Sequence, residues 1–73
     1  MTLASARLGG TYTVIDLGLD MVTRRRLEAL GLTRGTKIKL LNRNRSGSVI
    51  IMVRGSRYAL GKNIAESIQM REA

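Results

Sequence analysis

The sequence is 73 residues long, carries a net charge of +8, and contains neither cysteine nor histidine. These absences exclude disulfides, cysteine nucleophiles, the usual general base and the commonest ligands of zinc or ferrous iron. The carboxylates are few and scattered through the chain: Asp16, Asp20, Glu28, Glu66 and Glu72. We therefore predict no metal site, no cofactor and no enzymatic activity.

The length of the chain limits it to one hydrophobic core. We expect residues 1–73 to form a single domain with an aliphatic core, because the only aromatic residues are Tyr12 and Tyr58. The start of the chain lacks the apolar stretch of a signal peptide. The longest apolar run, Val49 to Val53, is far shorter than the roughly 20 residues of a membrane helix. The expected location is cytoplasmic.

The first predicted elements are a short N-terminal segment from Leu3 to Leu8, called the lead-in, and a strand. Leu3 and Leu8 are expected to pack on the domain, and Gly9-Gly10 is a turn signal. Residues 11–15 are rich in β-branched and aromatic side chains, which is typical of a β-strand.

Residues 20–30 form the one good helix candidate. Asp20 can cap the first turn, and its charge suits the positive end of the helix dipole. Gly31 is expected to end the helix, because glycine readily adopts the left-handed conformation found there. We expect Leu30 to be buried. The burial of Leu27 is left open by the sequence, because Leu27 adjoins Arg24 and Glu28.

Strand patterns dominate the rest of the chain. Residues 37–40 alternate polar and apolar side chains, whereas residues 49–53 are apolar on both faces and predict a central, covered strand. Gly55-Ser56 is a two-residue hairpin signal before a strand at 57–60. Residues 62–67 predict a short helical turn with Ala65 facing inward, followed by a closing strand at 68–70. This order predicts a mainly β fold, a small and partly closed barrel of about five strands with one short inserted α-helix.

Two groups of residues are candidates for binding a protein partner. The first is on the helix, where Leu27 would be an apolar anchor and Arg24 and Arg25 would steer an acidic partner. The second is the predicted polar hairpin loop from Asn42 to Ser48, with Arg43 and Arg45. Exposed edge strands also allow self-association of such small barrels.

Nucleic-acid binding is the alternative function. Thirteen basic residues can contact phosphates. Proteins that bind single strands, however, place aromatic side chains on the sheet for bases to stack on. Two tyrosines on different predicted strands make a poor platform, so the alternative depends on charge alone.

The order of the motifs resembles the FeoA family of ferrous iron transport proteins. The resemblance is carried by Arg25-Arg26-Leu27-Glu28-Ala29-Leu30-Gly31-Leu32, by Gly35-Thr36 with Ile38, by Val49-Ile50-Ile51 with Val53-Arg54-Gly55, and by Ala59-Leu60, Ala65, Ile68 and Met70. It spans the chain from about Leu3 to Met70. One departure is Arg34, which stands before Gly35 where the family prefers proline.

The resemblance implies an SH3-like β-barrel and a role as a cytosolic accessory or regulatory protein of bacterial ferrous iron uptake. The implied partner is FeoB, the GTP-binding membrane transporter, which would bring the protein to the inner face of the membrane. The same domain occurs in iron-dependent repressors, after a DNA-binding domain that this sequence does not contain. A free-standing chain favours the transport role.

Overall fold

The computed structural model describes residues 1–73 and contains five strands, two α-helices and one turn of 3₁₀ helix. In chain order these are the 3₁₀ turn Leu3–Ser5, β1 Thr11–Leu17, α1 Met21–Ala29, β2 Lys37–Arg43, β3 Val49–Val53, β4 Ser56–Leu60, α2 Lys62–Ser67 and β5 Ile68–Glu72. The strands form one sheet in the order β4-β3-β2-β1-β5, with every neighbouring pair antiparallel. The mainly β architecture is confirmed. The sheet is not closed, because β4 and β5 lie at its two ends.

The core is a single cluster of apolar side chains inside the curved sheet. Its 16 members are Leu3, Ala6, Tyr12, Val14, Leu17, Leu27, Leu32, Ile38, Leu40, Val49, Ile51, Val53, Leu60, Ala65, Ile68 and Met70. Tyr12 is the one aromatic residue among them, so the core is mainly aliphatic as predicted. Ala65 also faces inward as predicted. The expectation that Leu8 packs on the domain is wrong, since Leu3 and Ala6 fill the space under the lead-in and Leu8 is exposed beyond them.

Strand β3 is covered on only one face. Val49, Ile51 and Val53 are buried, but Ile50 is 39 % exposed and Met52 is partly exposed. The prediction of a strand covered on both faces is therefore wrong. The sheet curves around one core, so the outer face of β3 remains in solvent even though its residues are apolar.

The hairpin between β3 and β4 turns one residue earlier than its sequence signal predicts. Val53 pairs with Ser56, so the two turn residues are Arg54 and Gly55. Both have positive φ, +51° and +83°. That combination is the one a type I′ hairpin turn requires.

The two edges of the sheet differ. The start of the chain runs along the outer edge of β5, where Thr2 bridges Gln69 and the N–H of Met70 donates to the carbonyl of Met1 at 2.7 Å. No strand pairs with the outer edge of β4. The sheet thus has one shielded edge and one open edge.

Candidate functional site

Helix α1 has well-defined ends. The Asp20 side chain accepts a hydrogen bond from the N–H of Thr23 at 3.1 Å. Hydrogen bonding by the side chain and the backbone of Thr23 lowers the pKa of Asp20. At the other end, Gly31 has φ +99° and the N–H of Leu32 donates to the carbonyl of Leu27 at 3.0 Å. The predicted cap and terminator are both present, so local contacts fix both ends of α1.

One buried side chain, Leu27, anchors α1 to the core. Leu27 is only 5 % exposed, so the expectation of an exposed apolar anchor at this position is wrong. The expectation that Leu30 is buried is also wrong: its side chain is 43 % exposed because it lies at the C-cap, beyond the part of the helix that meets the core. The exposed apolar surface of α1 instead comes from Met21 and Val22 in the first turn, and from Leu30.

A surface groove runs along α1 and the end of β1. Its volume is about 300 Å³, and it is lined by Asp16, Leu17, Met21, Arg24, Arg25, Glu28 and Arg34. The arginines outnumber the carboxylates in this lining, so its net charge is positive. We call this feature the α1 groove.

One ion pair bridges the α1 groove. Nη2 of Arg34 donates to Oδ1 of Asp16 at 3.0 Å. This pair links the loop after α1 to β1. Arg24 and Arg25 form no ion pair, because the Arg34–Asp16 contact is the only salt bridge in the structure. Their guanidinium groups are therefore available to an anionic group of a partner.

The hairpin arginines do not line the α1 groove, and they differ from each other. Nη2 of Arg43 donates to the carbonyls of Ala6 and Leu3, and its Nε is buried without a partner. Arg45 is exposed in the loop after β2. The predicted second group therefore separates into a residue that holds the lead-in in place, Arg43, and one that is free at the surface, Arg45.

Sequence reasoning did not assign Asp16, Met21, Glu28 or Arg34 to a site. Asp16 and Arg34 are 18 residues apart, and no local pattern indicates that they meet. The only available signal was the arginine at position 34 in place of the family's proline. Met21 and Glu28 lie within the predicted helix, but which of its faces is exposed depends on how α1 docks.

The site has the chemistry of a recognition surface. No group of three or more His, Cys, Asp or Glu side chains is placed to hold a metal ion. No helix is long and apolar enough to cross a membrane. What α1 presents is a pair of unpaired arginines beside exposed apolar side chains, a combination found at protein interfaces.

Comparison with known proteins gives consistent matches over the whole chain. Residues 1–72 match the family model described as the FeoA domain. A Methanocaldococcus jannaschii protein with the provisional name Fe(2+) transport protein A is 34 % identical over 71 residues, 97 % of this chain and 85 % of that protein. The crystal structure of an iron uptake regulatory protein, FeoA, superposes with a TM-score of 0.90 at 30 % identity, covering 100 % of this chain and 97 % of the other.

The same architecture occurs in a repressor. A manganese-dependent transcriptional repressor superposes with a TM-score of 0.90 at 21 % identity, and this chain covers 41 % of its length. At that identity the likeness concerns the fold alone.

Proposed function

Because the chain belongs to the FeoA family, we propose that it is a cytoplasmic accessory protein of ferrous iron transport that binds a FeoB-type GTP-binding membrane transporter. In this proposal Fe²⁺ is the cargo of the transporter, and the chain acts by protein contact rather than by catalysis. It reaches the inner face of the membrane through its partner. The observation that carries the proposal is the pair of unpaired arginines in the α1 groove.

The α1 surface combines the two properties that a docking site for an acidic partner needs. Arg24 and Arg25 provide long-range attraction, which raises the association rate and makes binding salt-dependent. Met21, Val22 and Leu30 provide apolar area to bury, and all three are more than 40 % exposed. Met21 and Val22 lie at the start of the helix and Leu30 at its C-cap, so a partner that spans α1 could bury apolar area at both ends of the arginine pair.

The groove also suits a regulatory contact. The helix has a single buried side chain, so it can shift or open at low cost compared with the strands. A partner that binds α1 in one position would select that position. This supports a role in which the chain modulates the transporter through α1, with Arg45 as a further contact on the hairpin loop.

The experiment is a binding titration at physiological salt. The purified chain is titrated against the full-length transporter in detergent and against its cytosolic GTP-binding domain. We expect saturable binding, weakened about tenfold by Arg24→Gln with Arg25→Gln. The matched control is Arg7→Gln with Lys62→Gln, which removes the same charge from exposed positions outside the groove. Equal weakening by both pairs, or no binding to the transporter, would contradict the proposal.

A further inference from the structure

The outer face of the sheet carries a second cluster of positive charge. The strand register places four residues in one row, which crosses β4, β3, β2 and β1 in the order Arg57, Met52, Lys39 and Thr11. The next row crosses β2, β1 and β5 and contains Lys37, Thr13 and Arg71. Residues in one cross-strand row point to the same face of a sheet, as do residues two apart on a strand. Four cations therefore share this face. We call Lys37, Lys39, Arg57 and Arg71 the basic face.

The two rows of the basic face contain no compensating charge, since neither row contains a carboxylate and none of the four cations forms an ion pair. The carboxylate of the row next to Arg71, Asp16 opposite Gln69, is already paired with Arg34. All four cations are exposed. With strands about 4.8 Å apart, the four steps from β4 to β5 correspond to about 19 Å measured along the curved sheet. So wide a patch of one sign matches an extended anionic surface better than a single small anion.

Apolar side chains lie within this patch. Met52 occupies the row between Arg57 and Lys39, and the adjoining row pairs Ile50 with Ala59. Ile50 is 39 % exposed and Met52 is partly exposed. Amphipathic helices that lie in the membrane interface likewise combine Lys and Arg with large apolar side chains.

We propose that the basic face binds the surface of an anionic lipid bilayer, with its four cations on headgroup phosphates and with Ile50 and Met52 against the interface. The bilayer fits better than nucleic acid because this face has no aromatic side chain for bases to stack on. Tyr12 is buried, and Tyr58 pairs with buried Ile51 on the core side of the sheet. The proposal does not depend on the transporter contact, since the α1 groove and the basic face share no residue.

The test is sedimentation of the full chain with vesicles. Phosphatidylcholine vesicles containing phosphatidylglycerol are compared with pure phosphatidylcholine vesicles, and duplex DNA and single-stranded RNA are titrated in parallel at the same salt. We expect binding only to the anionic vesicles. Lys37→Gln, Lys39→Gln and Arg57→Gln together should lower that affinity about a hundredfold, at roughly fivefold per charge.

The control removes three charges from elsewhere. Arg7→Gln, Arg26→Gln and Lys62→Gln together leave the chain with the same net charge as the first triple variant, and all three residues lie outside the two rows. We expect this variant to keep most of the affinity. Equal losses in the two variants would mean that binding follows net charge alone and would overturn the proposal.

A label at position 50 reports on the face directly. Because the chain has no cysteine, Ile50→Cys introduces a unique attachment point for a polarity-sensitive fluorophore. Anionic vesicles should shift its emission to the blue, whereas the same label at Val22→Cys on α1 should not respond. A response at Val22 without one at Ile50, or tight binding to nucleic acid with none to vesicles, would overturn the proposal. No transporter is present, so the result is independent of the proposed FeoB contact.

Discussion

Arg34 and Asp16 meet at 3.0 Å and join the loop after α1 to β1, although 18 residues separate them in the chain. Both side chains are exposed, and exposed ion pairs contribute little to folding. The pair therefore matters mainly for the charge of the α1 groove. Asp16 partly neutralises a surface that Arg24 and Arg25 would otherwise make more positive.

Substitutions of the two members of this pair should shift the affinity for the partner in opposite directions. Asp16→Asn is expected to tighten binding to the transporter, and Arg34→Gln to weaken it, each by several-fold. The free energy of unfolding should change by less than about 1 kcal/mol in both variants. Titration at two salt concentrations, with urea denaturation alongside, measures both effects. A shift in the same direction for both variants would rule out this electrostatic explanation.

Leu27 and Leu30 should separate stability from binding. Leu27→Ala removes the buried anchor of α1 and is expected to cost about 2–5 kcal/mol. That is a large part of the roughly 4–11 kcal/mol available to a domain of this size. Leu30→Ala removes exposed surface, so stability should change by about 0.5 kcal/mol or less, while transporter binding weakens. Urea denaturation and the binding titration provide the two readouts, and a stable Leu27→Ala variant would contradict the packing described for α1.

Arg43 and Arg45 allow a second comparison between a structural residue and an exposed one. Arg43→Met removes the guanidinium donor from the carbonyls of Leu3 and Ala6. The Leu3 carbonyl keeps its hydrogen bond from the N–H of Ala6, so the loss falls mainly on the Ala6 carbonyl and should cost about 1–3 kcal/mol. Arg45→Met removes an exposed side chain, and its effect on stability should stay within about 0.5 kcal/mol. Chemical denaturation of the two variants measures both changes in the free energy of unfolding. If both proved neutral, Arg43 would not hold the lead-in, and it would again be a candidate for partner binding.

The cap of α1 should make stability depend on pH. The folded-state pKa of Asp20 lies below its ordinary value of 3.8, because hydrogen bonds from Thr23 favour the carboxylate. The unfolded state therefore takes up the proton first as the pH falls. The stabilisation is complete above pH 3.8 and is lost as the pH drops through the folded-state pKa.

The measurement compares melting temperatures of the wild type and Asp20→Asn. Asparagine keeps the capping oxygen but not the charge. We expect the wild type to be the more stable at neutral pH, with the difference shrinking below pH 3.8. A difference that stayed constant across this range would show that the charge of Asp20 has no part in capping.

The local elements of the fold follow from the sequence. Alternation and β-branched residues locate the strands, and the strand at 49–53 has the predicted limits. Asp20 and Gly31 locate the ends of α1, because capping and left-handed glycine depend on neighbouring residues only. The inward position of Ala65 follows in the same way from the short amphipathic turn around it.

The tertiary relationships do not follow from these local signals. Leu27 and Leu30 lie on a similar face of an ideal helix, yet one is buried and the other exposed, since only the docked helix shows where the core ends. The basic face needs the register of five strands, and a shift of one residue would turn each side chain to the opposite face. The early turn at Arg54 also could not be predicted from residue preferences, because a non-glycine residue rarely adopts the positive φ found there.

The single open edge of the sheet limits the stoichiometry of self-association through strand pairing. A strand edge invites pairing with another copy, and β4 offers the only unshielded one, since the first residues of the chain lie along β5. Two copies joined β4 to β4 around a two-fold axis would use up both open edges at once. Assembly by this route would close at a dimer, and fibre growth would first require the lead-in to detach.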